Sequence, residues 1–546
     1  MAETCSAPDG SKKWTFGITP GQSILVMSIL GFLPLFVLLA GPKLVSWVGG
    51  LLGGYLRKKT AGRRGQILEI VEKDQKEWEE KGGNERRDSD EWETVDSYAV
   101  GTAKNGEKAV DAEWDGIVGF FHPFCNAGGG GERVLWAAIR ATQKRWPKAK
   151  CIVYTGDHDV EKAAIIDRVK VIPSPQLLAN ADPSRTDSIL PSTPNTWDAF
   201  SLLTPDIFVD TMGYAFSLAF CKTLFHDVPT GAYVHYPTIS TDMLSSLDPT
   251  SATGTQGVNA GKGRGAAGAG KKLYWELFAK LYSVVGTSID EVMTNSSWTL
   301  GHINSLWGAW RREYQKSSPK VVYPPVAVEE LEKEVEVSES SEKKRENVLL
   351  YIAQFRPEKN HHLIVESFAK FLATKSPATK DAKLVLIGSV RDDSDSKRVY
   401  ELRLLANELK IKDRVDFYLD ASWPEILEWL RRASVGVNGM WNEHFGIGVV
   451  EYQAAGLISV VHDSGGPKGD IVTEVRGEAT GFHATTEEEF AAAFEQALSL
   501  KDKLAMRRRA RESAKRFTEE EFVKGWIAVM ERLVNLRIRL VKGKVL

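Results

Sequence analysis

Cysteine is scarce: Cys5, Cys125, Cys151 and Cys221 are the only four in 546 residues, and no two form a CxxC pair. That excludes a disulfide framework and a paired-cysteine zinc site, and it fits a reducing compartment. An excess of either charge is lacking too. The 70 Lys and Arg nearly cancel the 72 Asp and Glu, so no global field draws in nucleic acid or another strongly charged partner, and recognition must be local. Long apolar runs are missing but for one, Ser23 to Ala40, which reads SILVMSILGFLPLFVLLA without a charge.

That run is close to the length of about 17 to 25 residues that spans a bilayer as a helix. It is expected to anchor the chain rather than be cleaved, because Leu38-Leu39-Ala40 before Gly41-Pro42 makes a poor small-x-small site. Lys43, Arg57, Lys58, Lys59, Arg63 and Arg64 follow it, against Lys12 and Lys13 ahead of it, so the positive-inside rule leaves the bulk of the chain in the cytosol. The stretch LVSWVGGLLGGYL between them could lie along the interface, although its four glycines argue against a stable amphipathic helix.

With 43 % hydrophobic residues the remainder supports ordinary cores. Residues 65–114 read as a polar linker after an anchoring segment 1–64. Then short apolar runs alternate with helical patterns, the signature of βαβ units on a parallel sheet. Strands are expected in DGIVGFF, AKCIVYTG, PDIFVD, GAYVHYP, EVMTN and KVVYPP, and after an acidic linker (328–346) in NVLLYIAQF, AKLVLIGS, RVDFYLD, ASVGVNG and LISVVHD. The fold class is therefore α/β, with doubly wound parallel-sheet domains over 115–327 and 347–517. A mobile glycine-rich loop (245–272) precedes KKLYWELFAKLYSVV, whose Tyr274, Leu277, Phe278, Leu281, Val284 and Val285 recur at helical spacing. Core packing is the expectation there, a membrane-touching surface the alternative. Thr518 and Glu521 suggest a capping box for a final helix (518–546) that reaches back to the first domain.

Ligands of open α/β sheets sit beyond the carboxyl ends of the strands, and three loops there carry chemistry. In HPFCNAGGGGERVLW, Gly128 to Gly131 lead into a helix, where glycine admits a phosphate to the backbone and the helix start offers free N–H groups. A tight turn for strand–helix packing explains the same glycines equally well. In AQFRPEKNHHL, Arg356 and Lys359 fall where a strand ends, placed to neutralise a departing diphosphate or simply solvated. In NEHFGIGVVEYQAAG, Glu443 lies in a loop and Glu451 in the helix after it. Eight positions on one helix turn by about 80°, so the two carboxylates serve different groups. One suits the hydroxyls of one sugar, the other those of a second, with the amides of Phe445, Gly446 and Ile447 aimed at whatever joins them. Ribose, diphosphate and hexose in that order describe a nucleotide-sugar; a capped amphipathic helix with incidental glutamates is the plainer alternative.

With GGGGERV, RPEKN, Glu443-x7-Glu451 and SGGPKGDIV in this order, residues 115 to 540 resemble glycosyltransferase family four, retaining enzymes of the GT-B fold in which two Rossmann-like domains face across a cleft. The stretches FFHPFCNAGGGGERVLW, YVHYPTIS, MTNSSWT and QFRPEKNHHL resemble in particular its GDP-mannose-dependent α-1,2-mannosyltransferases of the dolichol pathway. The resemblance implies GDP-mannose as donor, a dolichol-diphosphate-linked oligosaccharide as acceptor, no cofactor and no metal. It further implies the endoplasmic reticulum membrane, a cytosolic catalytic part, and a complex with other mannosyltransferases of that pathway. By position it assigns Glu443 to the mannose, Glu451 to the ribose, Arg356 and Lys359 to the diphosphate, and Gly129 and Gly130 to the contact of donor and acceptor. His235 of YVHYP falls beside the transferred sugar, which makes Glu443, His235 and Lys359 the candidate catalytic set. The chain departs from many members at Gln354, where they carry arginine. The Asp157-His158-Asp159 stretch mimics a metal-binding Asp-x-Asp but follows a first-domain strand, so no metal is expected. A related transferase with another linkage or a UDP-sugar donor, and a non-catalytic nucleotide-sugar or lipid-binding subunit, stay open at this point.

Overall fold

A computed structural model describes residues 43–69, 72–73, 113–125, 129–156, 189–191, 196–246 and 265–543. The uncharged run Ser23–Ala40, Gly128 and the Asp157–Asp159 stretch lie outside them. Among the described residues no helix is long and apolar enough to cross a membrane.

Two parallel sheets organise the chain. The first contains β1 (Ile117–Phe121), β2 (Lys150–Thr155), β3 (Ile189–Pro191), β4 (Ile207–Asp210), β5 (Thr230–Val234), β6 (Glu291–Thr294) and β7 (Lys320–Val321). Their order is β3-β2-β1-β4-β5-β6-β7. The second contains β8 (Glu346–Ile352), β9 (Lys383–Gly388), β10 (Val415–Leu419), β11 (Ala433–Asn438), β12 (Ile458–His462) and β13 (Gly481–Ala484), ordered β10-β9-β8-β11-β12-β13. Every residue of β1, β4, β5 and β6 is buried, as expected where helices cover both faces of a parallel sheet. β3 and β13 are additions to the strands expected from sequence. Both are short, and β13 opens on a glycine, so neither carries a run of β-branched residues.

Strand order places the ligand site. It reverses between β1 and β4 in the first sheet and between β8 and β11 in the second, which opens a crevice at the carboxyl ends of those strands. The glycine loop follows β1, the Arg356–Lys359 loop follows β8 and the Glu443 loop follows β11, so all three converge on the two reversal points.

The terminal helix Glu519–Lys542 follows the second domain in sequence and packs back on the first. Thr518 Oγ1 accepts the Glu521 N–H at 3.3 Å, while the Glu521 carboxylate takes Lys524 at 2.7 Å, so only half of the expected capping box forms. Phe522, Trp526, Met530 and Leu533 bury against the first sheet, and Trp526 Nε1 donates to Thr142 Oγ1 at 3.0 Å. Arg537 reaches Asp206 and Asp227, which also hold Arg64 and Arg57 of the helix of residues 43–69.

Two expectations change here. The glycines of LVSWVGGLLGGYL do not prevent a helix over residues 43–69, because two of them are needed for its packing. A Cβ on Gly49 or Gly53 would lie 2.3 or 2.0 Å from the carbonyl oxygens of Thr223 and Leu224. The helix Gly265–Val285 starts inside the stretch expected as a loop, where three alanines favour it. Of its six periodic apolar residues, Tyr274, Leu277, Leu281 and Val284 are exposed, Phe278 is partly buried and Val285 alone is fully buried. Its core contacts are made by Ala279, Tyr282 and Val285, with Trp275 and Phe278 packed partly against the same cluster.

Candidate functional site

The Glu443 loop is shaped by three glycines. Gly446 has φ +104°, a conformation strained for any side chain, and a Cβ there would meet Pro467 Cγ at 3.2 Å. The chain turns sharply at this point, so the helix begins at Ile447 and Glu451 stands just past its first turn. Gly465 and Gly466 of SGGPKGDIV press on the same loop, with hypothetical Cβ atoms 2.3 Å from Glu443 O and 2.5 Å from Phe445 O. Gly466 N–H donates to Glu443 O at 2.8 Å and Asn442 N–H to Ser464 Oγ at 2.7 Å. Two motifs separate in sequence are thus one packed unit. Tyr452 anchors the helix by accepting the Ile352 N–H at the end of β8 (2.7 Å), and Gly436 in β11 leaves room for its ring.

Lys359 Nζ lies 2.5 Å from Glu443 Oε2. The lysine sits in a single 3₁₀ turn whose carbonyl accepts the Tyr351 hydroxyl at 2.6 Å, and Asn438 approaches the same carboxylate oxygen at 3.4 Å. Burial alone would raise the Glu443 carboxyl, but the Lys359 ammonium outweighs it and holds the group below the usual carboxylate range. Glu443 is therefore ionised at neutral pH and suited to accept hydrogen bonds rather than to donate a proton. Arg356 has a shielded Nε without a hydrogen-bond partner among the described residues, and its Nη1 lies 3.8 Å from Glu358. An orphaned buried donor beside an open cleft is a place for an anion.

On the opposite wall, Gly129 caps the helix Gly130–Arg145, and Glu132 reaches back to accept the Gly129 N–H at 2.6 Å. Glu132 also stands 3.5 Å from His122 Nε2, while His122 Nδ1 meets Thr211 Oγ1 at 2.7 Å. His235 Nε2 is buried without a partner among the described residues, and a Cβ on Gly131 would come within 3.8 Å of it. Burial, with His122 nearby, lowers the His235 imidazole to about 4, so it is neutral at physiological pH.

The walls touch. A Cβ on Gly130 would lie 2.7 Å from Ile447 Cδ1, so two helix N-termini meet across the cleft. Arg133 Nη1 holds Glu451 Oε1 at 3.0 Å. His444 stacks on Tyr236 with centroids 4.1 Å apart and faces Trp298 at 5.4 Å. Asn442 Nδ2 donates to Asp242 Oδ2 at 2.7 Å, and Ser297 N–H to Asp470 Oδ2 at 2.9 Å. Glu443, Lys359, Glu451, Gly130, Phe445, Gly446 and Ile447 are brought together at this junction; Arg356 flanks it and His235 lies behind the glycine loop. Sequence reasoning missed Arg133, His122, Tyr236, Trp298, Asp242 and His444. All but Asp242 lie inside stretches quoted above for the resemblance, which was the one signal available. The cleft can neutralise a diphosphate with Lys359, Arg356 and two helix starts, while its carboxylates accept hydrogen bonds from hydroxyls.

Residues 115–179 and 187–307 match the family described as ALG11 mannosyltransferase N-terminus, and residues 332–517 match Glycosyl transferases group 1. The chain is 63 % identical to the GDP-Man:Man(3)GlcNAc(2)-PP-Dol alpha-1,2-mannosyltransferase of Neurospora crassa, over 95 % of this chain and 98 % of that protein. The Homo sapiens protein of the same description is 39 % identical over 80 % of this chain and 89 % of its own length. Among solved structures, the trehalose-6-phosphate phosphatase N-terminal domain of Candida albicans matches with TM-score 0.55 at 12 % identity, over 79 % of this chain and 98 % of that one. Anabaena Alr3699/HepE in complex with UDP-glucose matches with TM-score 0.52 at 13 % identity, over 76 % and 100 %. These two share the fold.

Proposed function

The chain belongs to the GDP-Man:Man(3)GlcNAc(2)-PP-Dol alpha-1,2-mannosyltransferase family, and from that premise we propose how its cleft transfers mannose from GDP-mannose to a dolichol-diphosphate-linked oligosaccharide. The first domain (115–327) receives the acceptor and the second (347–517) holds the donor. Glu451 accepts hydrogen bonds from the ribose, displacing Arg133. The diphosphate lies against Lys359, Arg356 and the amides of Phe445, Gly446 and Ile447, with Gly129 and Gly130 opposite. Glu443 orients the mannose hydroxyls.

Transfer retains the α configuration. The bond from the anomeric carbon to the phosphate oxygen breaks, the acceptor hydroxyl oxygen bonds that carbon on the same face, and its proton passes to the departing diphosphate. No protein carboxylate acts as nucleophile, in contrast to the paired carboxylates of retaining glycosidases. Catalysis consists of orientation and of stabilising charge on the leaving group. Fixed cations and helix starts supply that charge, so the scheme uses no metal. Neutral His235 accepts or donates a hydrogen bond beside the transferred sugar. The uncharged run Ser23–Ala40 anchors the chain in the endoplasmic reticulum membrane with the cleft in the cytosol, where related mannosyltransferases are accessible as partners.

The observation that carries this account is the Lys359–Glu443 pair, placed where two helix N-termini meet. Purified chain given GDP-mannose and a trimannosylated lipid-linked acceptor should add two α-1,2-linked mannoses in turn; a different linkage, or transfer from a UDP-sugar alone, would overturn it.

A further inference from the structure

Two helices, one packed on the first domain and one within it, carry apolar stripes that no described residue covers. On the helix of residues 43–69, Leu44, Trp47, Leu51 and Tyr55 follow one another at spacings of three, four and four, which puts them on one face, and each is 54–64 % exposed. On Gly265–Val285, Leu273, Leu277, Leu281 and Val284 follow at four, four and three, each 45–57 % exposed. Scattered exposed leucines are ordinary, but two aligned stripes mark an interaction surface.

Both helices lie in the same layer. Leu56 and Ile67 of the first, and Ala279, Tyr282 and Val285 of the second, bury in one cluster with Leu218 and Leu224 of the helix Ala215–Leu224. The other face of the sheet is closed by Gly130–Arg145 and the terminal helix. Each of the two grips Ala215–Leu224 from a different end. Gly49 and Gly53 meet the carbonyls of Thr223 and Leu224, while the Phe278 and Tyr282 rings meet Phe216 at 5.4 and 6.2 Å.

We infer that the two stripes lie together in a single lipid monolayer and hold the first domain against the membrane with its cleft at the bilayer surface. Three observations select lipid as the occupant. Only Gly41 and Pro42 separate the uncharged run Ser23–Ala40 from the first helix, so a chain leaving a bilayer there meets the interface at the start of the stripe. Exposed Lys43, Lys58, Lys59 and Arg63 flank the first stripe, and exposed Lys272 and Lys280 accompany the second. Cations beside an apolar face suit anionic headgroups. The second helix also packs beside Thr241–Ser246, whose Asp242 bonds Asn442 in the cleft. Its stripe therefore runs towards the point where a diphosphate on a membrane-embedded polyisoprenoid would arrive, a delivery that presupposes the acceptor of the proposed function.

The test uses the full chain with Cys5→Ser, since Cys125, Cys151 and Cys221 are buried. A nitrobenzoxadiazole probe is attached at Leu51→Cys, Leu277→Cys or, as a control on the second domain, Arg508→Cys, and the protein is placed in vesicles of phosphatidylcholine and phosphatidylserine. Dithionite should reduce the probes at 51 and 277 about ten-fold more slowly than the one at 508, because groups buried in a monolayer are shielded from an aqueous anion. Reduction at 277 as fast as at 508, with or without protection at 51, overturns the inference. Leu277→Glu/Leu281→Glu should lower transfer to the lipid-linked acceptor in vesicles about ten-fold, since charges are expelled from the interface, and leave transfer to a short-chain, water-soluble acceptor intact. Equal loss with both acceptors contradicts the membrane role, whereas inactivity of the unmodified chain on either acceptor would contradict the transferase itself.

Discussion

On the second-domain wall of the cleft, the loop that carries Glu443 is fixed by its own neighbourhood. Gly446 turns it, Gly465 and Gly466 press on its backbone, and Lys359 and Asn438 hold its carboxylate. The first-domain wall is furnished differently. Its glycine loop is capped by Glu132, but Arg133, Tyr236, Trp298 and Asp242 meet partners that belong to the other domain. The carboxylate of Glu443 is thus held wholly within its own domain, whereas Asn442, His444 and Glu451 share their contacts with the first-domain wall, so the two walls meet as one surface around the donor position proposed above.

Breaking the second-domain wall should have the largest effect. Glu443→Ala is expected to lower kcat about 100-fold or more, the scale of removing one preorganised electrostatic contact, with an unchanged circular dichroism spectrum. Lys359→Ala should do the same, and full activity in either folded variant would refute the site.

Acidification loosens both walls at once. Burial lowers His235 and His444 to about 4 from the ordinary histidine value near 6.5. Their folded pKa values are depressed, so below about 6.5 the unfolded chain binds more protons than the folded one, and stability falls as pH drops from about 6.5 towards 4. The depressed Glu443 carboxyl adds its own loss only at the lower end of that window, as pH falls through its folded value. Melting temperature measured across this range should decline continuously, and His444→Gln should flatten the decline.

Glycine replacements distinguish the walls further. Gly446→Ala imposes a strained φ and should destabilise the chain by about 1–3 kcal/mol, read as a lower melting temperature. Gly130→Ala meets only the tip of Ile447, so it should leave stability within about 1 kcal/mol and impair turnover. Trimming that tip with Ile447→Val in the same chain should restore turnover. The smallest effect belongs to Arg133→Ala, since a half-exposed ion pair contributes about 0–1 kcal/mol. Freed Glu451 should then bind ribose more readily, lowering the GDP-mannose KM up to about five-fold while kcat stays constant.

The same contrast explains what could be read from sequence. The second-domain loops were legible because their chemistry is packed into short contiguous stretches, RPEK and EHFGIGVVE, each straight after an apolar strand. Eleven of the thirteen strands among the described residues were legible for the same reason. Cross-domain partners were not, because Arg133 and Glu451 lie 318 positions apart and Asn442 and Asp242 200 apart, and no local period encodes which loops will face each other. The stripe on Gly265–Val285 misled in another way. Helical spacing of apolar residues gives a face but not its neighbour, and this face points outward.

The central claim is that the diphosphate of the donor lies between Lys359 and the start of the helix Ile447–Ala454, with the ribose at Glu451. A crystal or cryo-EM structure with GDP tests it most directly. Density for the diphosphate within hydrogen-bonding reach of Lys359 and the Gly446 and Ile447 amides, with Arg133 displaced from Glu451, is the predicted result; GDP bound away from both Lys359 and Glu451 would contradict it.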